Sequence, residues 1–479
     1  MNNLLLVFTC LLPGFLSAQN VGIGVASPAE KLDVNGGIHL GYSQIFNPGT
    51  IRWNPATQDF EGNVGDSWVS LTGVNTQWGN REQYSFENHG RNAFFPTDTA
   101  FGEIVQYHNG RMAVAAPNAH TGNLQWAGLV ELTDLAANGQ YNHLKRIYSP
   151  TPNNVGHFGK SIALFNHQLV IGEPGINVNG NTQQGKAYIY TFDGSNNYGA
   201  PQELIQPVAD GSPFDKFGSS AAMFGDFIAV GAPEKIVNGA ANSGKVYLYR
   251  RLYLLGTPTD AFIEEGAITS PDPGAGIQFG KALALSATRL AVSAPFATSG
   301  GQQEAGRVYI YQRQNNSWVY EATLTYVAYR ALFGSAVSFN TTGDSILIGA
   351  PRNSIEHGYA VLFKRTGNSW SSSHLFNATD DSVKDAFGSA VLLRDGKAII
   401  GAPAARVGIN NMQGKAYIYG KNNNTWVREG IFTAMNGVEF LRFGTGVALS
   451  PDMMIAGASG YENQYFHAER GGIYYFFRN

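Results

Sequence analysis

The pair Phe-Gly recurs along the chain at Phe101, Phe158, Phe217, Phe279, Phe333, Phe387 and Phe443, at intervals of 54 to 62 residues with a mean of 57. Fourteen residues after most of these phenylalanines stands a small tripeptide. The set is Ala115-Ala116-Pro117, Gly172-Glu173-Pro174, Gly231-Ala232-Pro233, Ser293-Ala294-Pro295, Gly349-Ala350-Pro351, Gly401-Ala402-Pro403 and Gly457-Ala458-Ser459. Only the fifth is displaced, to an offset of 16, because Asn340–Asp344 lengthens its turn. A third mark follows, a Gly opening an alternating aromatic run, as in Gly185–Tyr190, Gly244–Tyr249, Gly306–Tyr311 and Gly414–Tyr419. Weaker copies begin at Gly128, Gly358 and Gly471. Three ordered marks in seven copies restrict the chain to a repeat architecture, whose units bury surface against one another.

Each repeat reads as four short strands. A small or apolar stretch after Phe-Gly (Ser161–Leu164, Ser389–Leu392) meets a tight turn, then a β-branched run ending at the tripeptide. The Tyr/Ile run alternates with period two, which is a strand pattern. Segments containing Trp318, Trp370 and Trp426 follow as fourth strands. No segment sustains helical periodicity. Radial repetition of four-stranded units, closed into a ring, is the propeller solution to exposed sheet edges. The expectation is an all-β chain, a seven-bladed β-propeller of four-stranded blades preceded by a small β-rich N-terminal segment. The seventh copy ends its third strand just before Asn479, so its fourth strand must come from upstream of Phe101. Trp78–Phe86, Trp-led and alternating, is the candidate.

These marks resemble the FG-GAP repeat family, best known from the integrin α-subunit propeller, over residues 101–479. The resemblance implies that Phe packs between blades and that the adjacent Gly permits close backbone approach. It also implies that Pro117, Pro174, Pro233, Pro295, Pro351 and Pro403 end strands where no ladder N–H is needed. Calcium-binding members carry Asp-rich loops between the first two strands. Here those turns are of the type Phe165–Gln168 or Arg394–Lys397, without several carboxylates, so calcium is not carried over. The expectation is no metal and no cofactor.

The start of the chain reads differently. An apolar run Leu4–Leu12, then Pro13-Gly14 and Leu16-Ser17-Ala18, has the order of a secretory signal peptide over residues 1–18. The single cysteine, Cys10, lies inside it, so the remaining chain is cysteine-free, and Thr9 stands before it where lipoprotein signals prefer Gly, Ala or Ser, so no lipid anchor is expected. Residues 19–73 resemble the opening of bacterial secreted and phage tail-fibre proteins, through Asn20–Gly24, Ser27–Val34, Gly49–Trp53 and Asp66–Leu71. That resemblance implies a homo-oligomer, in tail fibres often a trimer. A monomeric β-rich linker fits the same residues. The propeller is expected over 74–479.

Composition narrows the partners. A formal charge of -3, with charged residues at 14%, does not suit a protein that must neutralise phosphates, so nucleic acid is not an expected partner. No stretch beyond the first residues is long and apolar enough to span a membrane as a helix. Gly159-Lys160-Ser161 has the ending of a phosphate loop, but Asn154 stands where its first Gly is required, and the Phe-Gly repeat already accounts for Gly159. No nucleophile elbow or His-Glu-x-x-His pair occurs, and no catalytic residue is assigned. Asp210, Asp272 and Asp380 each stand seven residues before a repeat Phe, and Asp215 and Asp385 stand two before. Turn chemistry explains such residues. An acidic rim meeting a ligand on one propeller face is the alternative.

Two functional classes remain. One is a secreted or surface-displayed recognition and adhesion protein, its blade loops binding an extracellular protein or glycan. The other is a propeller-fold carbohydrate-active lyase or hydrolase. An enzyme would need acid and base groups in atypical loops, and Asn118–Trp126 and Gly460–Arg470, with His467 and Glu469, are the only insertions that stand out.

Overall fold

The alternating Val, Ile, Ala and Tyr of the second and third strands leave each blade apolar on both faces, so each must be covered from two sides. The computed structural model meets that demand by stacking blade on blade around a ring. It describes residues 100–478 other than 136–140, 194–196, 353–357, 379–384, 423–424, 435–436, 452 and 461–470, together with strand segments of the first 85 residues. Strands, turns and bends make up all the regular structure among these residues, with no helix. The expected signal peptide and Cys10 lie outside them.

Seven four-stranded antiparallel sheets follow one another. Their innermost strands are Ile104–His108, Ser161–Phe165, Ser220–Phe224, Leu283–Leu285, Ala336–Phe339, Ala390–Arg394 and Phe443–Leu449. Each lies against the innermost strands of both neighbours, and the last lies against the first, which closes the ring. Trp318, Trp370 and Trp426 fall in the fourth strands Ser317–Leu324, Ser369–Asn377 and Thr425–Phe432. In blades 1 to 6 the strands are consecutive in sequence. Blade 7 is completed by Trp78–Ser85, which pairs antiparallel with Gly472–Arg478, Ile473 opposite Tyr84 and Tyr475 opposite Glu82. The two ends of the ring-forming chain therefore meet in one sheet, as the short seventh copy requires.

The hydrophobic core is divided into seven seams, each holding one repeat phenylalanine. Phe217 packs with Val170 and Ile189 of blade 2 and with Ile228, Val230 and Tyr247 of blade 3. Phe101 likewise joins Val114 and Leu129 of blade 1 to Ile455 and Ile473 of blade 7. All seven phenylalanines have 0% exposure. Successive residues of a strand serve opposite seams: Ile228 and Val230 face Phe217, while Ala229 between them faces Phe279.

The three sequence marks meet at these seams. Gly218 has φ +89°, where an L side chain is strained, and a Cβ on it would stand 2.3 Å from the Lys186 carbonyl oxygen. Its N–H donates to the Gly231 carbonyl at 3.0 Å, joining the first mark to the second within blade 3. Across the seam its own carbonyl oxygen lies 2.0 Å from where a Cβ on Gly172 would be. The third mark's Gly185 would meet the Phe217 carbonyl oxygen at 2.0 Å in the same way. The closing seam repeats the pattern, Gly457 against Gly102 and Gly471 against Phe101. Each tripeptide proline falls directly after the last residue of its second strand, as with Pro233 after Phe227–Ala232.

Blade 2 has a fourth strand of 3 residues, Gln202–Leu204, directly after Pro201, whereas blade 3 ends in the 13-residue strand Thr257–Thr269. Near the N-terminus, Ile51–Asn54, Asp59–Asn63 and Trp68–Ser70 form an antiparallel sheet.

Candidate functional site

Antiparallel order puts the loops between blades and the loops joining second to third strands on one face of the ring. The hairpin turns within blades lie on the other. On the turn face the channel is obstructed by the chain itself. His108, Phe165 and Phe224 pack as tilted rings with centroid distances of 4.6 and 5.0 Å, and Arg394 of blade 6 reaches over to donate to the Tyr107 carbonyl of blade 1 at 3.1 Å. The loop face carries no such crossing among the described residues.

The loops of that face are built to a repeating plan. Five second-to-third loops contain the same small hairpin, bridged at Thr121/Leu124, Val178/Asn181, Val237/Ala240, Ser299/Gln302 and Val407/Asn410. Asn118–Trp126, distinctive in sequence, is thus one copy of this element and not a private insertion. The residues 461–470, with His467 and Glu469, fall outside the described ones.

Next to each hairpin the backbone does something residue types alone do not announce. The residue before each repeat Phe (Ala100, His157, Lys216, Gln278, Leu332, Ala386, Arg442) has φ between 50° and 58° without being glycine. Opposite them Trp126, Gln183, Asn242, Glu304 and Met412 have φ between 50° and 52°. Each such left-handed residue costs on the order of 1–2 kcal/mol, and strain of this kind concentrates at functional positions. The two series are joined by backbone hydrogen bonds, from His157 N–H to Trp126 at 2.9 Å, Gln278 to Asn242 at 3.0 Å, Leu332 to Glu304 at 3.0 Å and Arg442 to Met412 at 3.0 Å. Lys216 makes the same bond to Gln183 at 3.3 Å. The paired side chains are half-buried or exposed, unlike the phenylalanines one residue away. Each of these five seams thus ends at the loop face in a rigid peg bearing a different pair of side chains: Trp/His, Gln/Lys, Asn/Gln, Glu/Leu and Met/Arg.

Further in, the second residue after each Phe stands within two residues of the start of an innermost strand, at the channel mouth. These are Glu103, Lys160, Ser219, Lys281, Ser335, Ser389 and Thr445. Lys160 pairs with Glu103 of the neighbouring blade at 2.6 Å. Among the described residues, Lys281 makes no side-chain hydrogen bond or ion pair. It is open to solvent yet crowded by protein, and that crowding, with Lys160 nearby, holds its pKa below the usual lysine value. Burial lowers His157 and Lys216 as well, with Lys160 adding to the effect at His157.

The aspartates singled out in the sequence are held by their own chain. Asp210 accepts from Lys245 Nζ at 2.7 Å and from Tyr247 Oη at 2.6 Å, and these contacts keep its carboxyl below the usual range against the opposing effect of burial. Asp272 accepts from Arg307 at 2.7 Å but remains 57% exposed. The Asp at this position thus anchors the entering loop to the basic residue that follows the third-mark Gly of its blade. Asp215 is buried and accepts from Ser212 N–H, Gln206 Nε2 and Lys235 Nζ. Asp385, also buried, accepts from Phe387 N–H at 2.9 Å. Asp380 lies outside the described residues. No group of three or more His, Cys, Asp or Glu side chains that could share one ion occurs among the described residues.

One buried carboxyl was not anticipated. Glu173 replaces the Ala of the tripeptide in blade 2 and has 0% exposure. Its Oε2 accepts from Ser149 at 2.8 Å and Tyr188 at 2.9 Å, while Oε1 has no hydrogen-bond partner among the described residues. Burial dominates over these two donors and pushes its pKa up to about 7. The only sequence signal was that single departure from Gly-Ala-Pro.

A ring of seven blades with a seam repeated from blade to blade and a varied loop face defines a propeller scaffold presenting a surface. The FG-GAP repeat model matches residues 205–249 and 262–311, which lie in blades 3 and 4 and the loop entering blade 3. The chain therefore carries FG-GAP repeats, and its seven blades are consistent with the FG-GAP propeller family. No curated protein matches it.

Proposed function

We propose that this chain is a recognition protein of the cell exterior, secreted or held at the outer surface, which binds an extracellular protein or glycan through the loop face of its propeller. The observation that carries the reading is the peg series: one backbone geometry repeated around the ring, bearing side chains that differ from seam to seam. Strained, hydrogen-bonded backbone fixes the side chains in place, which lowers the ordering cost of binding. The apolar opening of the chain supports export, and the resemblance of residues 19–73 to fibre openings supports display as an oligomer. The test is a combined glycan and protein array with the secreted form, the Trp126→Ala/Lys216→Gln variant and a turn-face variant, Phe224→Ser. Loss of the bound signal in the first variant, with retention in the second, is expected. Equal signals from both variants would contradict the loop-face assignment.

A further inference from the structure

The pegs and the channel mouth are not uniform around the ring. Across the seams leading into blades 2, 3 and 4, flat exposed rings alternate with amines. Trp126 is 42% exposed and stacks on His157 with ring planes 10° apart. Phe214 is 54% exposed, held at φ 63° by its N–H bond to the Thr182 carbonyl at 2.8 Å. Between and beyond them stand Lys160, Lys216 and Lys281. Glu103 pairs with Lys160, and Lys216 donates to the neutral Gln183 at 2.5 Å, so among the described residues the Lys281 ammonium is left without a partner of its own. Glu234 is the remaining carboxylate whose field Lys216 and Lys281 feel. The charge on this arc therefore runs opposite to the overall charge of -3.

Resting on the recognition reading above, we propose that this arc binds an acidic glycan, with Trp126 and Phe214 lying against sugar faces and Lys160 and Lys281 taking the anionic substituents at the channel mouth. A flat ring suits the apolar face of a pyranose, and its amphipathic character leaves the hydroxyls in water. An ammonium without a counter-ion suits a carboxylate or sulfate, with which it makes a charge-assisted hydrogen bond. An acidic protein would use the amines without needing rings placed between them. That difference separates the two ligand classes.

Binding is read by calorimetry on the full chain with four probes: an oligogalacturonate, a sulfated galactan oligomer, the fully methyl-esterified oligogalacturonate and poly-glutamate. Uronate or sulfate oligomer should bind, and whichever binds names the anionic group. The esterified probe should bind about tenfold or more weakly, the scale of one lost charge-assisted bond. Lys160→Gln/Lys281→Gln should weaken the charged oligomer by a similar factor. Trp126→Ala should weaken the oligomer and leave any residual poly-glutamate binding unchanged. The melting midpoint of each variant checks that it is folded. Poly-glutamate bound as tightly as the oligomers and indifferent to Trp126→Ala would overturn the glycan assignment, as would equal binding of the esterified probe. If neither acidic oligomer binds while array ligands are still lost in the loop-face variant, recognition stands and this proposal fails.

Discussion

Seam and peg stand one residue apart and obey opposite rules. At the seam, Phe217 and its counterparts are the same residue in every blade, with no exposure, and their glycines touch backbone across the interface. At the peg, Lys216 and its counterparts share one dihedral but not one side chain. The contrast teaches that repetition in this chain marks what closes the ring, while variation inside a fixed backbone marks what is free to recognise something. Energetically the two are separable. Seam side chains lose buried area when cut, whereas pegs face solvent and owe their geometry to the neighbouring backbone.

The sharpest way to break the seam is to open the ring. A chain beginning at Pro96 lacks Trp78–Ser85, exposing the edge of Gly472–Arg478. It should lose cooperative unfolding or aggregate, while one beginning near Thr72 stays folded; light scattering with thermal melts distinguishes them. Cutting one seam from within comes next. Phe279→Ala should cost about 3–5 kcal/mol, the usual range for a fully buried Phe, read as a fall in denaturation midpoint.

A smaller, pH-dependent effect belongs to Glu173. Its folded pKa of about 7 lies above the ordinary 4.5, so its contribution favours folding at low pH and is lost as the pH rises through about 7. Glu173→Gln cannot ionise. It should match the parent near pH 4 and exceed it at pH 8, by up to ~3 kcal/mol. A stability difference independent of pH would contradict this assignment. Smallest of all, Lys281→Gln at the channel mouth should move stability by no more than about 0.5 kcal/mol, whatever it does to binding.

How much of this was legible in the sequence follows from the same contrast. Phe-Gly, the tripeptide prolines and the third-mark glycines were visible because burial and close approach admit few residue types. Ring closure by Trp78–Ser85 was visible because the seventh copy is one strand short. The pegs were not visible, since the strained φ at His157 or Gln278 is imposed by pairing across the seam and many residue types can occupy it. Asp210 and Asp272 were visible as a repeated position, but their role lay in a second repeated position, the basic residues Lys245 and Arg307. Taken alone, they left turn chemistry and an acidic rim as the two readings.

If pegs are interchangeable for folding and specific for binding, one peg pair can be moved onto another seam without loss of the fold. Trp126→Gln with His157→Lys gives the seam between blades 1 and 2 the pair found at the next seam, on a backbone of the same dihedrals. Melting and ligand capture are measured together on this variant. The expected result is a stability within about 0.5 kcal/mol of the parent, the range of ordinary surface changes, and a clear loss of the ligand bound by the parent. A variant that unfolds, or one that stays folded and binds as before, would contradict it.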